Sequence, residues 1–341
     1  MWRNLSPGNR PVSDLEGKNM RELMRRYLFA AAMAFLFLSA APALHAYWIW
    51  TPQTGTWINP KWAVKDTPQE QFDWAMKFYS SKDYKKAAEE FLRLVRFYPQ
   101  AELAAESQYY AGKSYEALQE YEQAFNAYQK GIETYPFSKR LEEMIEREYE
   151  IAGKFYAGEK IKLWGIPTFP SVYKAIEIYQ KVVDNAPYGK FAEQSLFKIG
   201  ECYKKAGDYQ QARLAFQKLV DEHPESKLAE EANFQVGLCA SQASLKPSYD
   251  QSVTDDALRE IEDFAKRHPE SKLTGEADKM RESLREKKAE SDYTIAEFYW
   301  KQKWYDSAEV YYRNIVDNFP DTKVAKKADE RLKIIEKKAK K

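Results

Sequence analysis

Residues 196–224, LFKIGECYKKAGDYQQARLAFQKLVDEHP, read as two helices joined by a sharp turn. Gly200 and Tyr203 stand on the first helix, Gly207-Asp208-Tyr209 make the turn, and Ala212, Phe216 and Leu219 stand on the second. Pro224 ends the second helix, because proline has no N–H to donate and clashes with the preceding turn. The same arrangement recurs along the chain. Pro99, Pro136, Pro187, Pro224, Pro269 and Pro320 each follow, by twelve residues, an alanine: Ala87, Ala124, Ala175, Ala212, Ala257 and Ala308. Eight residues before each proline stands a large apolar side chain: Phe91, Tyr128, Tyr179, Phe216, Ile261 and Tyr312.

A small residue that lets two antiparallel helices approach, with a proline that stops the second, is the tetratricopeptide pattern. One such hairpin cannot bury its own apolar face, so hairpins must stack. The spacing therefore predicts an all-α tetratricopeptide-repeat solenoid, a right-handed superhelix of about six hairpins closed by a C-terminal capping helix.

The prolines are 37, 51, 37, 45 and 51 residues apart, and the long intervals locate irregularities. In the third repeat, with Gly153 taken as its small residue, ten extra residues around KLWGIPTFPS carry Trp164, Gly165, Pro167 and Pro170, which predicts a loop. The fifth repeat gains eight residues near LKPSYDQS. Leu273 to Lys288 reads as an extra charged helix, and a Lys-rich helix from Lys323 closes the array with Leu332 and Ile335 as its apolar stripe. Pro-Glu-Ser at 224–226 and 269–271 offers a serine to cap the next helix. His223 and His268, each before a proline, sit where a cation suits the helix C-terminal dipole.

Charge excludes an electrostatic nucleic-acid binder: 53 Lys and Arg nearly balance 52 Asp and Glu. Cys202 and Cys239 occupy the same place on the first helices of neighbouring repeats. Stacked helices lie about 8–10 Å apart, farther than a disulfide spans, so buried free thiols are expected. Two cysteines and three histidines give no metal-ligand spacing, and no catalytic constellation or phosphate-cradling loop occurs. A non-enzymatic chain without cofactors is expected.

Tyr27 to Ala43, YLFAAAMAFLFLSAAPA, follows Arg21, Arg25 and Arg26 and precedes small residues. This order predicts an export signal cut after Ala43 or Ala46, with an uncleaved anchor as the alternative. No cysteine precedes Cys202, so a lipid-bearing N-terminal cysteine is not expected. Residues 47–68, YWIWTPQTGTWINPKWAVKDTP, hold Trp48, Trp50, Trp57 and Trp62 and a Thr-Gly pair suited to a small hairpin. They either cap the open end of the solenoid or form a belt for a membrane interface or partner. The expected divisions are an extension and signal at 1–46, a Trp-rich linker or cap at 47–67, repeats one and two at 68–147, repeats three to six at 148–335, and a Lys-rich tail at 336–341.

First helices line the inner surface of such a solenoid. Three residues before the small position they carry Phe72, Tyr109, Phe197, Phe234 and Tyr293, whereas the third repeat has Glu150. This aromatic row is expected either to grip an extended peptide, helped by Lys204, Lys205, Lys113 and Lys154, or to pack against the neighbouring repeat.

The second half is more specific. VDNAPYGKFAEQSLF (183–197), SYDQSVTDDALREIEDFAKRHPES (248–271) and LREKKAESDYTIAEFYWKQKWYDSAEVYYRNIVDNFPDT (284–322) resemble the BamD family, the outer-membrane assembly factors of Gram-negative bacteria. The resemblance covers about residues 148–335. It implies a periplasmic scaffold at the outer membrane, with possible peripheral membrane contact, working with the β-barrel protein BamA. It further implies that Phe155, Tyr156, Phe197 and Tyr203 meet unfolded outer-membrane protein substrates, and that Trp300 to Arg313 face the barrel partner. This chain departs from the family in lacking the lipid-bearing cysteine and in carrying repeats one and two. A coordinator of cell division, or a scaffold for secretion or polysaccharide export, is the alternative.

Overall fold

The computed structural model describes residues 49–51, 56–58, 63–163, 166–243 and 252–339. The expected export signal, Trp48 and Trp62, and the insertion at 244–251 lie outside them. The chain divides into two compact units, residues 1–64 and 65–341. In the first, β1 (Ile49–Thr51) pairs antiparallel with β2 (Thr56–Ile58), the small hairpin expected around Thr54-Gly55. Trp50 sits opposite Trp57 in the register, edge to face at 6.0 Å.

The second unit holds thirteen helices among the described residues. Six hairpins follow in order: α1 (Pro68–Ser80) with α2 (Tyr84–Phe97), α3 (Glu102–Ala117) with α4 (Tyr121–Thr134), and α5 (Leu141–Tyr156) with α6 (Val172–Asn185). Then come α7 (Ala192–Ala206) with α8 (Tyr209–Glu222), α9 (Ala229–Ala243) with α10 (Ser252–Arg267), and α11 (Thr274–Lys301) with α12 (Tyr305–Asn318). The capping helix α13 (Lys323–Ala339) turns Leu332 and Ile335 inward, beside the buried Tyr312 and Ile315. The fold is an all-α tetratricopeptide solenoid.

Four of the hairpin turns place one residue in the left-handed region. Lys82, Gln119, Gly207 and Lys303 supply it, always seven residues after the small position, with φ of 64°, 57°, 79° and 64°. Only Gly207 takes this conformation without steric cost. Second helices then start on side-chain caps at Asp83 and Asp208, which accept the Lys86 and Gln211 amides.

The small position is a steric requirement. A Cβ on Gly112 would lie 2.3 Å from the Tyr128 ring, one on Gly200 2.6 Å from Phe216, and one on Gly237 2.3 Å from Ile261. Gly153 does not belong to this set. A Cβ there would meet only the Tyr179 hydroxyl, at 3.7 Å. The fully buried Ala152 takes the role, so the third repeat runs one residue earlier than its glycine suggests.

Three further expectations change. The insertion in the third repeat contains two strands, β3 (Lys160–Leu163) and β4 (Ile166–Pro170), paired antiparallel. Its glycine and prolines punctuate a hairpin instead of preventing one. The extra helix at 273–288 is not separate: it runs without a break into the sixth repeat as the 28-residue α11. The two serines do not cap the next helix as expected: α11 starts behind Leu273 with no side-chain cap, and both serines instead close short turns ahead of the helix and link repeats. Ser226 and Ser271 accept the Leu228 and Leu273 amides and donate 2.6 Å bonds to Glu193 and Glu230 at the start of the preceding first helix.

Candidate partner-binding surfaces

The aromatic row is complete once the third repeat is read from Ala152, with Tyr149 in the place assigned to Glu150. Each member contacts the second helix of its own hairpin. Ring centroids lie 5.6 Å apart for Phe72–Phe91, 6.1 Å for Tyr109–Tyr128, 5.4 Å for Tyr149–Tyr179, 5.2 Å for Phe197–Phe216, 5.4 Å for Phe234–Phe264 and 5.7 Å for Tyr293–Tyr312. The position therefore clasps the hairpin shut. Phe155, Phe197 and Phe234 are 2%, 9% and 4% exposed, so a peptide on the surface does not reach them. Phe72, Tyr109 and Tyr293 remain half-buried, and Arg140 lies 4.7 Å over the Tyr109 ring.

What stays open on the first helices of repeats three to five is cationic and aromatic. Lys198 and Lys205 stand over the Tyr156 ring at 5.2 and 4.7 Å, and Lys205 donates to the Tyr156 carbonyl at 2.6 Å. Lys204 donates to Gln235 of the next repeat at 2.5 Å, and Tyr203 is half-buried on the same helix. Desolvation lowers the Lys198 ammonium, but the hydrogen bond and charge of Glu201 outweigh it and hold its pKa above the ordinary lysine value. These ammonium groups are charged donors for a carboxylate-bearing chain. At the opposite end of these helices a cavity of about 340 Å³ opens between the start of α5 and the turn from α6 to α7. Leu141, Ile145, Val182 and Phe191 give it an apolar floor, with Glu142, Glu146 and Lys190 around it.

A second surface crowns the sixth hairpin. Tyr299 stacks on Tyr311 at 5.7 Å, and Phe298 and Trp304 flank Tyr299 at 5.5 and 5.9 Å. Phe298 and Trp304 are 57% and 58% exposed, and Ile295 and Val310 also face solvent. Exposed apolar groups that cluster in this way are candidate interaction sites. Trp300 points elsewhere. It is half-buried, edge to face with Tyr305, under the Arg331 guanidinium at 4.7 Å. Arg313 is exposed and bonded to Glu309. Phe298, which the sequence does not single out, is the exposed member of the run Phe298-Tyr299-Trp300, since one helix cannot turn three consecutive side chains inward.

The two thiols are buried and free, and burial pushes them up to about 12 for Cys202 and about 11 for Cys239, which disfavours the nucleophilic thiolate. Among the described residues no group of His, Cys, Asp and Glu is placed to hold a metal ion, and no helix is long and apolar enough to cross a membrane.

Residues 170–341 match the family model YfiO, described as an outer membrane lipoprotein, and residues 106–138 match a tetratricopeptide repeat model. None of the curated proteins matches this chain. Solved structures similar to it include the C-terminal part of a repeat-containing protein from Cytophaga hutchinsonii, at 16% identity over 78% of this chain and 88% of that one, with a TM-score of 0.33. A tetratricopeptide protein from Parabacteroides merdae is 13% identical over 79% and 98% of the two chains, with a TM-score of 0.31. PilW, a type IV pilus biogenesis factor, is 13% identical over 77% and 99%, with a TM-score of 0.27.

Proposed function

Because this chain belongs to the YfiO family of outer membrane lipoproteins, we propose that it is a periplasmic scaffold of the machinery that assembles outer-membrane β-barrel proteins. Tetratricopeptide and YfiO proteins are non-catalytic scaffolds that act through protein–protein contacts, and the finer assignment extends that role. The observation that carries it is the exposed aromatic crown of the sixth hairpin, which lies inside the matched region. Phe298 and Trp304 are the anchors for a BamA-type barrel partner, and large aromatics that become fully desolvated dominate such contacts. The cationic first-helix surface of Tyr156, Tyr203, Lys204 and Lys205 receives unfolded substrate segments. Membrane contact is peripheral.

Affinity capture from envelope extracts tests the reading. The wild-type chain is expected to recover a BamA-type barrel protein, and a Phe298→Ala/Trp304→Ala variant at least tenfold less, with its thermal unfolding unchanged. Recovery of only division, secretion or polysaccharide-export machinery overturns it.

A further inference from the structure

The junctions between successive repeats follow one plan but are closed in two ways. Between repeats four and five, and five and six, the serine two residues after the proline donates to a glutamate seven residues before the small position. Ser226 meets Glu193 and Ser271 meets Glu230 in this way. Between repeats two and three Ala105 takes the glutamate position beside Ser138, and between three and four the pair is Ile145 and Gly189. Neither pair can form the hydrogen bond, and both junctions are hollow. The cavity of about 340 Å³ lies at Ile145 and Gly189, and one of about 430 Å³ lies at Ala105 and Ser138. Both volumes fall in the range of ligand pockets, roughly 300–1,000 Å³. The residue directly after the proline is aromatic at these two junctions alone. Phe137 is fully exposed and Tyr188 is 88% exposed, where the other junctions have Gln100, Glu225, Glu270 and Asp321. The junction with α13 is also open, but charged and hydroxyl side chains line it throughout.

We propose that these two junctions take up an extended segment of a partner protein whose apolar side chains are flanked by lysine or arginine. Arg140 lines one cavity and bonds Glu143 of the other, so the two adjoin and suit successive anchors of one chain. The anchors meet Leu141, Ile145, Val182 and Phe191 in the first cavity and Phe72 and Leu103 in the second. Charge selects the flanking residues. Glu102, Glu106, Glu142, Glu143 and Glu146 line the two cavities against three cations, Lys139, Arg140 and Lys190. Arg140 is held between Glu106 and Glu143, at 2.6 Å from each, and Lys190 lies 3.6 Å from Glu146. Glu102, Glu142 and Lys139 are exposed, so carboxylates stay in excess. The charge of about half a unit at each helix N-terminus offsets only part of that excess. A basic segment is therefore attracted, whereas an acidic chain, or the same surface of a second copy, is repelled. This site lies at the opposite end of the first helices from Lys198 and Lys205. It does not rest on the roles given to that surface or to the crown.

The test uses the full chain and a fluorescent twelve-residue peptide in which leucine and lysine alternate. Saturable binding by anisotropy is expected, with methyl resonance shifts at Leu103, Leu141, Ile145 and Val182 and none at Ile295 or Val310 of the crown. Replacing every leucine of the peptide by serine should weaken binding at least tenfold, and replacing every lysine by glutamate should abolish it. In the chain, Glu142→Gln/Glu146→Gln removes charge from the rim and should weaken binding at least fivefold. Leu103→Ser/Leu141→Ser removes apolar wall from both cavities and should weaken it at least tenfold. The two peptide replacements leave the chain untouched, so they decide the matter even if a variant is unstable. Absence of binding, equal binding of the serine or glutamate peptide, methyl shifts confined to other residues, or self-association of the chain in place of peptide uptake would each overturn the proposal.

Discussion

Arg147 of the third hairpin grips the Glu116 carboxylate of the second, with its Nε 2.8 Å from Oε1. The same oxygen accepts the Tyr128 hydroxyl at 2.6 Å, so one carboxylate joins both helices of its own repeat and the first helix of the next. The junction with the capping helix repeats the device: Glu297 accepts the Tyr312 hydroxyl at 2.7 Å and pairs with Arg331 at 2.8 Å.

In a stacked array each repeat contacts only its neighbours, so loss at one interface loosens everything beyond it. Arg147→Ala is expected to cost about 2 kcal/mol, since it leaves a poorly solvated carboxylate with one partner. Urea unfolding reads the cost. Hydrogen exchange should speed up selectively in α1 to α4, and uniform exchange along the chain would refute the account.

Alanine at two glycines should have opposite effects. Gly112→Ala forces a Cβ against the Tyr128 ring and is expected to destabilise by about 1–3 kcal/mol. Gly153→Ala meets only an ordinary contact with the Tyr179 hydroxyl and should stabilise by about 0.5–1 kcal/mol through helix propensity. Thermal denaturation of the pair distinguishes a close-packing role from a conformational one.

Glu148 is fully buried, one carboxylate oxygen accepts from Asn185 at 3.3 Å, and the other has no hydrogen-bond partner among the described residues. Burial pushes its pKa up to about 9; the Asn185 hydrogen bond and Lys181 oppose the rise and Glu133 adds to it. Folded chains then keep a proton that unfolded chains release above the ordinary value of 4.5, so stability should fall as pH rises from about 4.5 to about 9. Gln71 and Gln108 hold the same position in repeats one and two, donating to the Glu90 and Ala127 carbonyls. Glu148→Gln should therefore flatten the slope and stabilise by about 2 kcal/mol at pH 8. Denaturation midpoints at three pH values check this.

Neither thiol should react readily in the native state. Cys202 and Cys239 are fully buried, and their raised pKa values leave almost no thiolate at neutral pH. Alkylation followed by mass spectrometry should show no label until denaturant unfolds the chain, and then two.

The repeat architecture was legible because prolines and small residues answer to local sterics at fixed spacing. Side-chain direction was harder. Phe197 and Phe234 sit on first helices, as expected, but the clasp with Phe216 and Phe264 depends on how far each helix is rotated. Spacing to the proline does not report that rotation. The third repeat was misaligned by one residue because Gly153 next to Ala152 offers two small candidates, and only packing against Tyr179 separates them. Trp164-Gly165 followed by two prolines predicts a loop, whereas strand pairing depends on register, which composition does not encode.

The 28 residues of α11 have a mechanical consequence. At 1.5 Å per residue the helix is a rod about 42 Å long, and it packs with α10 at one end and with α12 and α13 at the other. Elsewhere the array is jointed between hairpins and can flex there under load. Between the fifth and sixth hairpins the turn at 268–273 is bridged by this one rod, so a pull on the last repeat is passed along it to its neighbour. These two repeats should yield under tension as one element, behaving as a stiff handle at the end of an otherwise compliant spring.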